Sequence, residues 1–192
     1  DHNIENSMLK GEFYYKIGGY KYLHVSYSEG LKDLFLSVEN LTVVLKSSET
    51  SLLLYDKADI TLSYTYGRIG ELLQRRSESL SSSDKKDKDL GEALKYHNLS
   101  LKINERIVTN YPDDNEYYRK LGVVYERIGQ TYRSLKQYKE CELYLLKAME
   151  IKKNFYNKTK ESFSYRKILI VLFDFYEEIN NDKKSNELIT IA

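Results

Sequence analysis

Residues 125–151 read YERIGQTYRSLKQYKECELYLLKAMEI, and the spacing of their apolar side chains predicts two helices lying side by side. Leading into and through the first half, Tyr118, Leu121, Tyr125, Ile128 and Tyr132 recur at intervals of three and four, so one helix face is buried and Gly129 lies on it. Without a side chain at that point, a second helix can come close. In the second half Cys141, Leu145, Ala148 and Ile151, with Phe155 beyond, repeat the spacing. The small Cys141 and Ala148 leave room for the Tyr125 and Tyr132 rings, the small-against-large arrangement by which antiparallel helices interlock. Ser134 to Gln137, short and polar, is the turn between them.

Working outward, the same signature returns. YGRIG at 66–70 is close to YERIG at 125–129, with Leu73 continuing the face, and Tyr14, Ile17 and Gly18 form a degenerate copy within Met8–Tyr22. The paired Gly18-Gly19 weakens that helix by about 1 kcal/mol per glycine. Leu90, Ala93, His97, Ser100, Leu101 and Ile103 take the positions of Tyr138, Cys141, Leu145, Ala148, Met149 and Ile151, and SYRKI at 164–168 echoes YYRKL at 117–121. Repetition of one helical hairpin is therefore the organising principle.

Boundaries follow from capping chemistry. Ser26 with Glu29 has the form of a capping box ahead of the stripe Leu31, Leu34, Phe35, Val38, Leu41 and Leu45; Ser47 to Thr50 ends that helix and Ser51 to Arg76 forms the next. Asp89 with Glu92 suggests another start, for a helix that Tyr111-Pro112 stops near Asn110, and Asp113 with Glu116 caps its successor. Asn157 to Lys160 breaks the chain, Ile168, Leu172, Phe175 and Ile179 form a further buried face, Asn180 to Lys183 turns, and Leu188 and Ile191 begin a last helix. Asp1 to Ser7 is expected to be loose. Residues 77–89, SESLSSSDKKDKD, are expected to be a flexible inserted loop, being almost free of apolar side chains.

The order Tyr125, Ile128, Gly129, Tyr132, then Cys141, Leu145 and Ala148, resembles the tetratricopeptide repeat, most closely over Leu121 to Ile151 and more loosely from Tyr55 to Ile191. The chain lacks that family's tryptophan at the first aromatic slot and its proline at the repeat end. The offsets between copies also exceed the family's minimum of about 34 residues. The resemblance implies an all-α, right-handed solenoid of about four antiparallel hairpins with elongated helices, one domain over 1–192, belonging to a longer protein because the last hairpin is incomplete. It also implies a concave surface made by the first helix of each hairpin. Tyr15, Lys16, Tyr64, Arg68, Glu71, Arg75, Arg127, Gln130, Arg133, Phe173, Asp174 and Glu177 map to that surface. Gly70, Gly129, Tyr125, Tyr132, Cys141 and Ala148 map to structural positions.

Function, by the same resemblance, is non-catalytic protein or peptide binding. Arginine with tyrosine suits an acidic partner, including another domain of the same polypeptide. The family's Lys/Asn/Arg clamp for a terminal carboxylate is not recognisable. Two alternatives stand beside this: a regulatory or sensor domain controlling a catalytic domain elsewhere, and a nucleic-acid-binding repeat using Arg68, Arg75, Arg76, Arg127 and Arg133. Thirty basic against twenty-nine acidic residues weigh against nucleic acid and against an anionic membrane. No stretch reaches the roughly twenty apolar residues of a membrane span.

The residue chemistry names no catalytic group, cofactor or metal. Cys141 is the sole cysteine and takes a small-residue slot; His2, His24 and His97 have no metal-ligand spacing; Gly67 to Gly70 lacks the Lys-Ser/Thr ending of a phosphate loop. Carboxylate pairs such as Asp113-Asp114 and Glu177-Glu178 sit where capping and solvation explain them. A single thiol and the absence of a leader pattern in the first residues suggest a reduced, cytoplasmic setting.

Overall fold

The structure, a computed structural model, describes residues 2–190. Among them there are eight helices and no strand: α1 (His2–His24), α2 (Tyr27–Lys46), α3 (Leu52–Glu78), α4 (Ser83–Asn110), α5 (Asn115–Ser134), α6 (Tyr138–Thr159), α7 (Phe163–Glu178) and α8 (Asp182–Ile189). The protein is all-α, and successive helices pack as pairs. Where the sequence suggests one array, the chain groups into two compact units, unit 1 over 1–104 and unit 2 over 105–192.

Several helix ends follow from single side chains. The Ser26 hydroxyl accepts the Glu29 amide at 3.2 Å, and Ser51 accepts the Leu54 amide at 3.3 Å, each satisfying an orphan donor of a first turn. The cap of α5 is Asp114 rather than Asp113: its carboxylate accepts the amides of Glu116 and Tyr117. Lys136, Lys160 and Asn180 adopt positive φ just beyond α5, α6 and α7, the left-handed residue that ends a helix.

Two expectations of loose chain are corrected. Helix α1 runs from His2, so residues 2–7 are helical and the Gly18-Gly19 pair does not interrupt it. Residues 77–89 are not a loop, since α3 continues to Glu78 and α4 begins at Ser83. Once Leu90, Ala93 and His97 are packed, extending the helix backward adds a hydrogen bond for each residue ordered, even through a charged sequence. Asp89 does not cap a helix. It lies inside α4, where its two carboxylate oxygens receive Nε and Nη2 of Arg76, both at 2.7 Å, and it thereby ties the first turns of α4 to α3. Ile191 lies outside the described residues, and α8 carries Leu188 into the core of unit 2.

In unit 1, α1 pairs with α2 and α3 with α4. A methyl group built on Gly70 would stand 2.5 Å from the His97 ring, and one on Gly30 would stand 2.9 Å from both the Gly18 carbonyl and the Tyr22 Cβ. These helices touch backbone to side chain or backbone to backbone. Polar contacts then fix their register. Ser37 donates to the Gly11 carbonyl at 2.8 Å and lies 3.2 Å from the Thr65 hydroxyl, while Ser100 donates to the Ser63 carbonyl and Asn104 to the Ser63 hydroxyl. Leu31, Leu34, Ile69, Leu72, Leu73 and Ala93 form the apolar core.

Unit 2 repeats the device. Gly129 faces Leu145, where a Cβ would meet Cδ2 at 2.8 Å, and Leu145 holds the position that His97 holds in unit 1. Tyr125 and Tyr132 pack against the core containing Cys141, Leu145 and Ala148, as expected, and both rings also meet Tyr144, at 6.1 and 5.5 Å between centroids. Tyr66 meets Tyr96 in the matching place, at 5.9 Å. The Tyr125 hydroxyl donates to Glu105 at 2.9 Å; burial first, then this carboxylate, push its pKa up to about 12.

These glycines divide into two kinds. A Cβ on Gly19 or Gly91 meets nothing within 4 Å, unlike one on Gly129 or Gly30. Gly129→Ala and Gly30→Ala are expected to lower stability by about 1–3 kcal/mol through overpacking, whereas Gly19→Ala and Gly91→Ala raise it by about 0.5–1 kcal/mol. Chemical denaturation of the four variants checks this; equal effects at all four positions would contradict the close-approach account.

Candidate functional site

The first helices of the hairpins carry the residues expected to bind a partner, and the structure sorts them. In unit 1, the rings of Tyr15 on α1 and Tyr64 on α3 are 6.4 Å apart, both half-buried, and Lys16 is exposed on α1. Arg75 is already engaged: it pairs with Glu71 at 3.1 Å and lies 5.7 Å over the Tyr22 ring. Arg68 is half-buried on α3. Of this group, Tyr15 and Tyr64 come together as one surface, and Arg75 with Glu71 as a closed pair.

In unit 2, Arg127 and Gln130 are half-buried on α5, and Gln130 donates to Glu126 at 3.3 Å. Arg133 is committed to the fold. Its Nε donates to Glu178 at 2.5 Å and its Nη2 to the Asp174 carbonyl at 3.1 Å, which ties α5 to α7. Asp174 and Glu177 are exposed on α7, while Phe173 packs on the core and lines a groove beside α8. Cys141 is fully buried, and burial pushes its thiol pKa up to about 12, the inert state expected of a packing residue.

A second set of residues, invisible to that mapping, makes a better-formed site. Between the N-terminal parts of α5 and α7 and the C-terminal part of α6 lies a groove of about 450 Å³, lined by Arg119, Val123, Glu126, Lys152, Phe155, Phe163 and Lys167, with Glu116, Glu161 and Ser164. Its floor is a buried ion pair. The Lys152 ammonium, whose side chain is 1% exposed, donates to Glu126 Oε2, and Lys167 reaches Glu126 Oε1 at 3.0 Å from α7. At the rim, Arg119 forms a two-point pair with Glu116, and Glu161 accepts the Phe163 amide.

Position along each helix explains the arrangement. Lys152 continues the stripe Cys141, Leu145, Ala148, so the backbone aims it inward, and Gly122 on α5 lets its stem lie close: a Cβ there would meet Lys152 Cγ at 3.2 Å. Burial works against the charge of Glu126, yet Lys152 and Lys167 outweigh it and hold its pKa below the usual carboxylate value. Lys152 moves below the usual lysine value, chiefly by desolvation, with Lys167 and Arg119 adding repulsion that offsets part of the pull of Glu126. The direction for Glu126 reports the two ammonium groups that share its carboxylate, whereas that for Lys152 reports chiefly its burial.

Comparison with known proteins finds no family model and no curated protein that matches this chain.

Removing one partner of the buried pair exposes its cost. Glu126→Gln leaves the Lys152 charge without compensation and is expected to destabilise the protein by about 3–5 kcal/mol, whereas Glu126→Leu with Lys152→Met is close to neutral. Thermal and urea unfolding of both variants measures this, and an undisturbed single variant would remove the pair from the account. Glu116, Glu126 and Glu142 all have folded pKa values lowered by cationic neighbours. The unfolded chain therefore binds more protons, and the stabilisation these groups supply above the ordinary carboxylate pKa is lost as pH falls through their folded values. Melting curves recorded from neutral pH down to about pH 3 are expected to show a steadily falling midpoint below about pH 4.5.

Proposed function

We propose that this chain is a non-catalytic binding scaffold of the tetratricopeptide kind, holding an acidic peptide segment in the groove that the first helices α5 and α7 form with α6. The observation that carries the reading is the groove of unit 2. Its floor holds the buried Lys152–Glu126 pair with the exposed Lys167 beside it, its rim carries Arg119 paired with Glu116, and its walls offer the faces of Phe155 and Phe163. A ligand carboxylate entering there meets the exposed Lys167 ammonium, and an extended backbone finds flat aromatic area beside it. The walls belong to three packed helices, so little ordering free energy is lost on docking. The paired rings of Tyr15 and Tyr64 support a similar use of the first helices in unit 1. Arg133, held by Glu178, is assigned to the fold and not to the partner. A reduced, cytoplasmic setting goes with this reading, supported by the buried free thiol of Cys141. Among the described residues no helix is long and apolar enough to cross a membrane.

Selection of a displayed random-peptide library on the full chain tests the proposal. Enriched peptides are expected to share an Asp, a Glu or a free terminal carboxylate. Lys167→Ala and Arg119→Ala are each expected to weaken them about tenfold, the loss of one charge-assisted contact. Enrichment of peptides without acidic groups, or affinities that both variants leave unchanged, would refute it.

A further inference from the structure

Residues 160–168 read KESFSYRKI, and the first turn of α7 falls on Phe163, Ser164 and Tyr165. Amides in a first turn have no carbonyl of their own helix to bond. One of the three is satisfied: the Glu161 carboxylate accepts the Phe163 N–H at 2.8 Å. A serine ahead of a helix commonly closes the next two with its hydroxyl, which it reaches from extended backbone. Ser162 instead has φ −92° and ψ −18°, and its side chain makes no cap bond. The amides of Ser164 and Tyr165 therefore find no acceptor among the described residues.

The Ser164 side chain adds an independent donor. It is 7% exposed and lines the groove between α5, α6 and α7, and its hydroxyl has no hydrogen-bond partner among the described residues. A hydroxyl held out of water without a partner is costly, and a ligand that accepts its hydrogen bond removes that cost. Three residues on, and so on the same helix face, Lys167 lines the groove with a side chain 56% exposed. Two backbone N–H groups, a hydroxyl and an ammonium are thus carried by one turn, at the end of the helix where its dipole favours negative charge.

Charge decides which acceptor fits. The groove is lined by the cations Arg119, Lys152 and Lys167 and by the carboxylates Glu116, Glu126 and Glu161. Arg119 pairs with Glu116, Lys152 with Glu126, and Lys167 shares Glu126. A dianion such as a phosphate monoester would meet no surplus of positive charge and would lie beside Glu161. A carboxylate carries a single charge and accepts about four hydrogen bonds, which these groups supply.

We infer that the N-terminus of α7 is a subsite for a carboxylate, bound by the Ser164 and Tyr165 amides, the Ser164 hydroxyl and the Lys167 ammonium. The inference rests on the reading of this groove as an acidic-peptide site, and it names the groups of the chain that receive the acid. A side-chain carboxylate and the free terminus of a peptide present the same acceptor.

Sodium acetate titrated into the isotope-labelled full chain, at ionic strength held constant with sodium chloride and followed by amide NMR, tests it. The Ser164 and Tyr165 amides are expected to shift saturably with a Kd of about 1–100 mM, the range of a ligand with so few atoms. Ser164→Ala is expected to weaken binding about threefold to tenfold and Lys167→Ala about tenfold, with inorganic phosphate weaker than acetate. Ser164→Ala only trims a side chain within a helix, so the variant folds, as the rest of its amide spectrum will register. Acetate that moves neither amide, a Ser164→Ala variant that binds like the wild type, or tighter binding of phosphate overturns the inference. The peptide reading survives those results where selected acidic peptides still lose affinity in Lys167→Ala. Selected peptides that carry no acid refute that reading and this inference with it. Synthesis of the selected peptides with free and amidated C-termini separates the two sources: loss of binding on amidation assigns the subsite to a terminal carboxylate, and unchanged binding assigns it to Asp or Glu.

Discussion

Three of the helix pairs depend on a glycine placed where the partner comes closest. Gly70 against His97, Gly129 against Leu145 and Gly30 against the Gly18 carbonyl bring axes nearer than any side chain would allow. The rest of each pair is set by that distance. Tyrosine rings flanking the contact reach across it, Tyr66 to Tyr96 and Tyr125 to Tyr144, because the gap at the glycine is short enough for two aromatic side chains to meet on either side. Nineteen tyrosines and no tryptophan fit this use. A ring with a hydroxyl at its tip can lie on a close helix and still reach a partner at the edge, as Tyr125 does at Glu105 and Tyr176 at Glu142.

Close approach alone leaves register undecided, because a helix can slide along its neighbour by one turn at modest cost in apolar contact. Buried polar groups remove that freedom, since each must find its partner at one position. Unit 1 uses neutral groups, Ser63, Ser100 and Asn104 between α3 and α4 and Ser37 with Thr65 between α2 and α3, together with the charged pairs Lys21–Asp33 and Arg76–Asp89. Unit 2 uses charges, Lys152 with Glu126 between α6 and α5 and Lys184 with Glu142 between α8 and α6. A charged pair is costlier to desolvate than a hydroxyl pair, and in return it leaves a field that a ligand can feel.

The hairpin signature was legible because glycine inside an apolar stripe has few other uses in a helix, and Tyr66–Gly70 and Tyr125–Gly129 state it twice. Helix existence and most boundaries followed. The N-terminal part of α4 did not: Ser83 to Asp89 has no apolar face, and its helicity comes from the packed turns after it and from Arg76, thirteen residues earlier in the chain than Asp89. The charged floor of the groove was half legible. The interval from Ala148 to Lys152 equals that from Cys141 to Leu145, so the stripe itself pointed inward at a lysine, but Ile151 next to it offered an apolar residue for nearly the same face. Arg133 failed as a binding residue for a reason no local pattern contains. Its partner Glu178 lies on another helix, and only the packing of α5 on α7 brings them together.

Contacts between successive first helices show how a repeat keeps its order. Were every such contact apolar, any first helix would lean equally well on any other, and the hairpins would have no preferred sequence in space. In unit 1 the contact of α1 with α3 carries Glu12 and Lys57; in unit 2 that of α5 with α7 carries Glu126 with Lys167 and Glu178 with Arg133. The acid lies on the earlier helix in two of these pairs and on the later helix in the third. A wrong pairing sets like charges together or strands Glu126 in the core, which costs far more than an exposed pair returns. Apolar burial and glycine contact make the helices cohere, and these few charges decide which helix follows which.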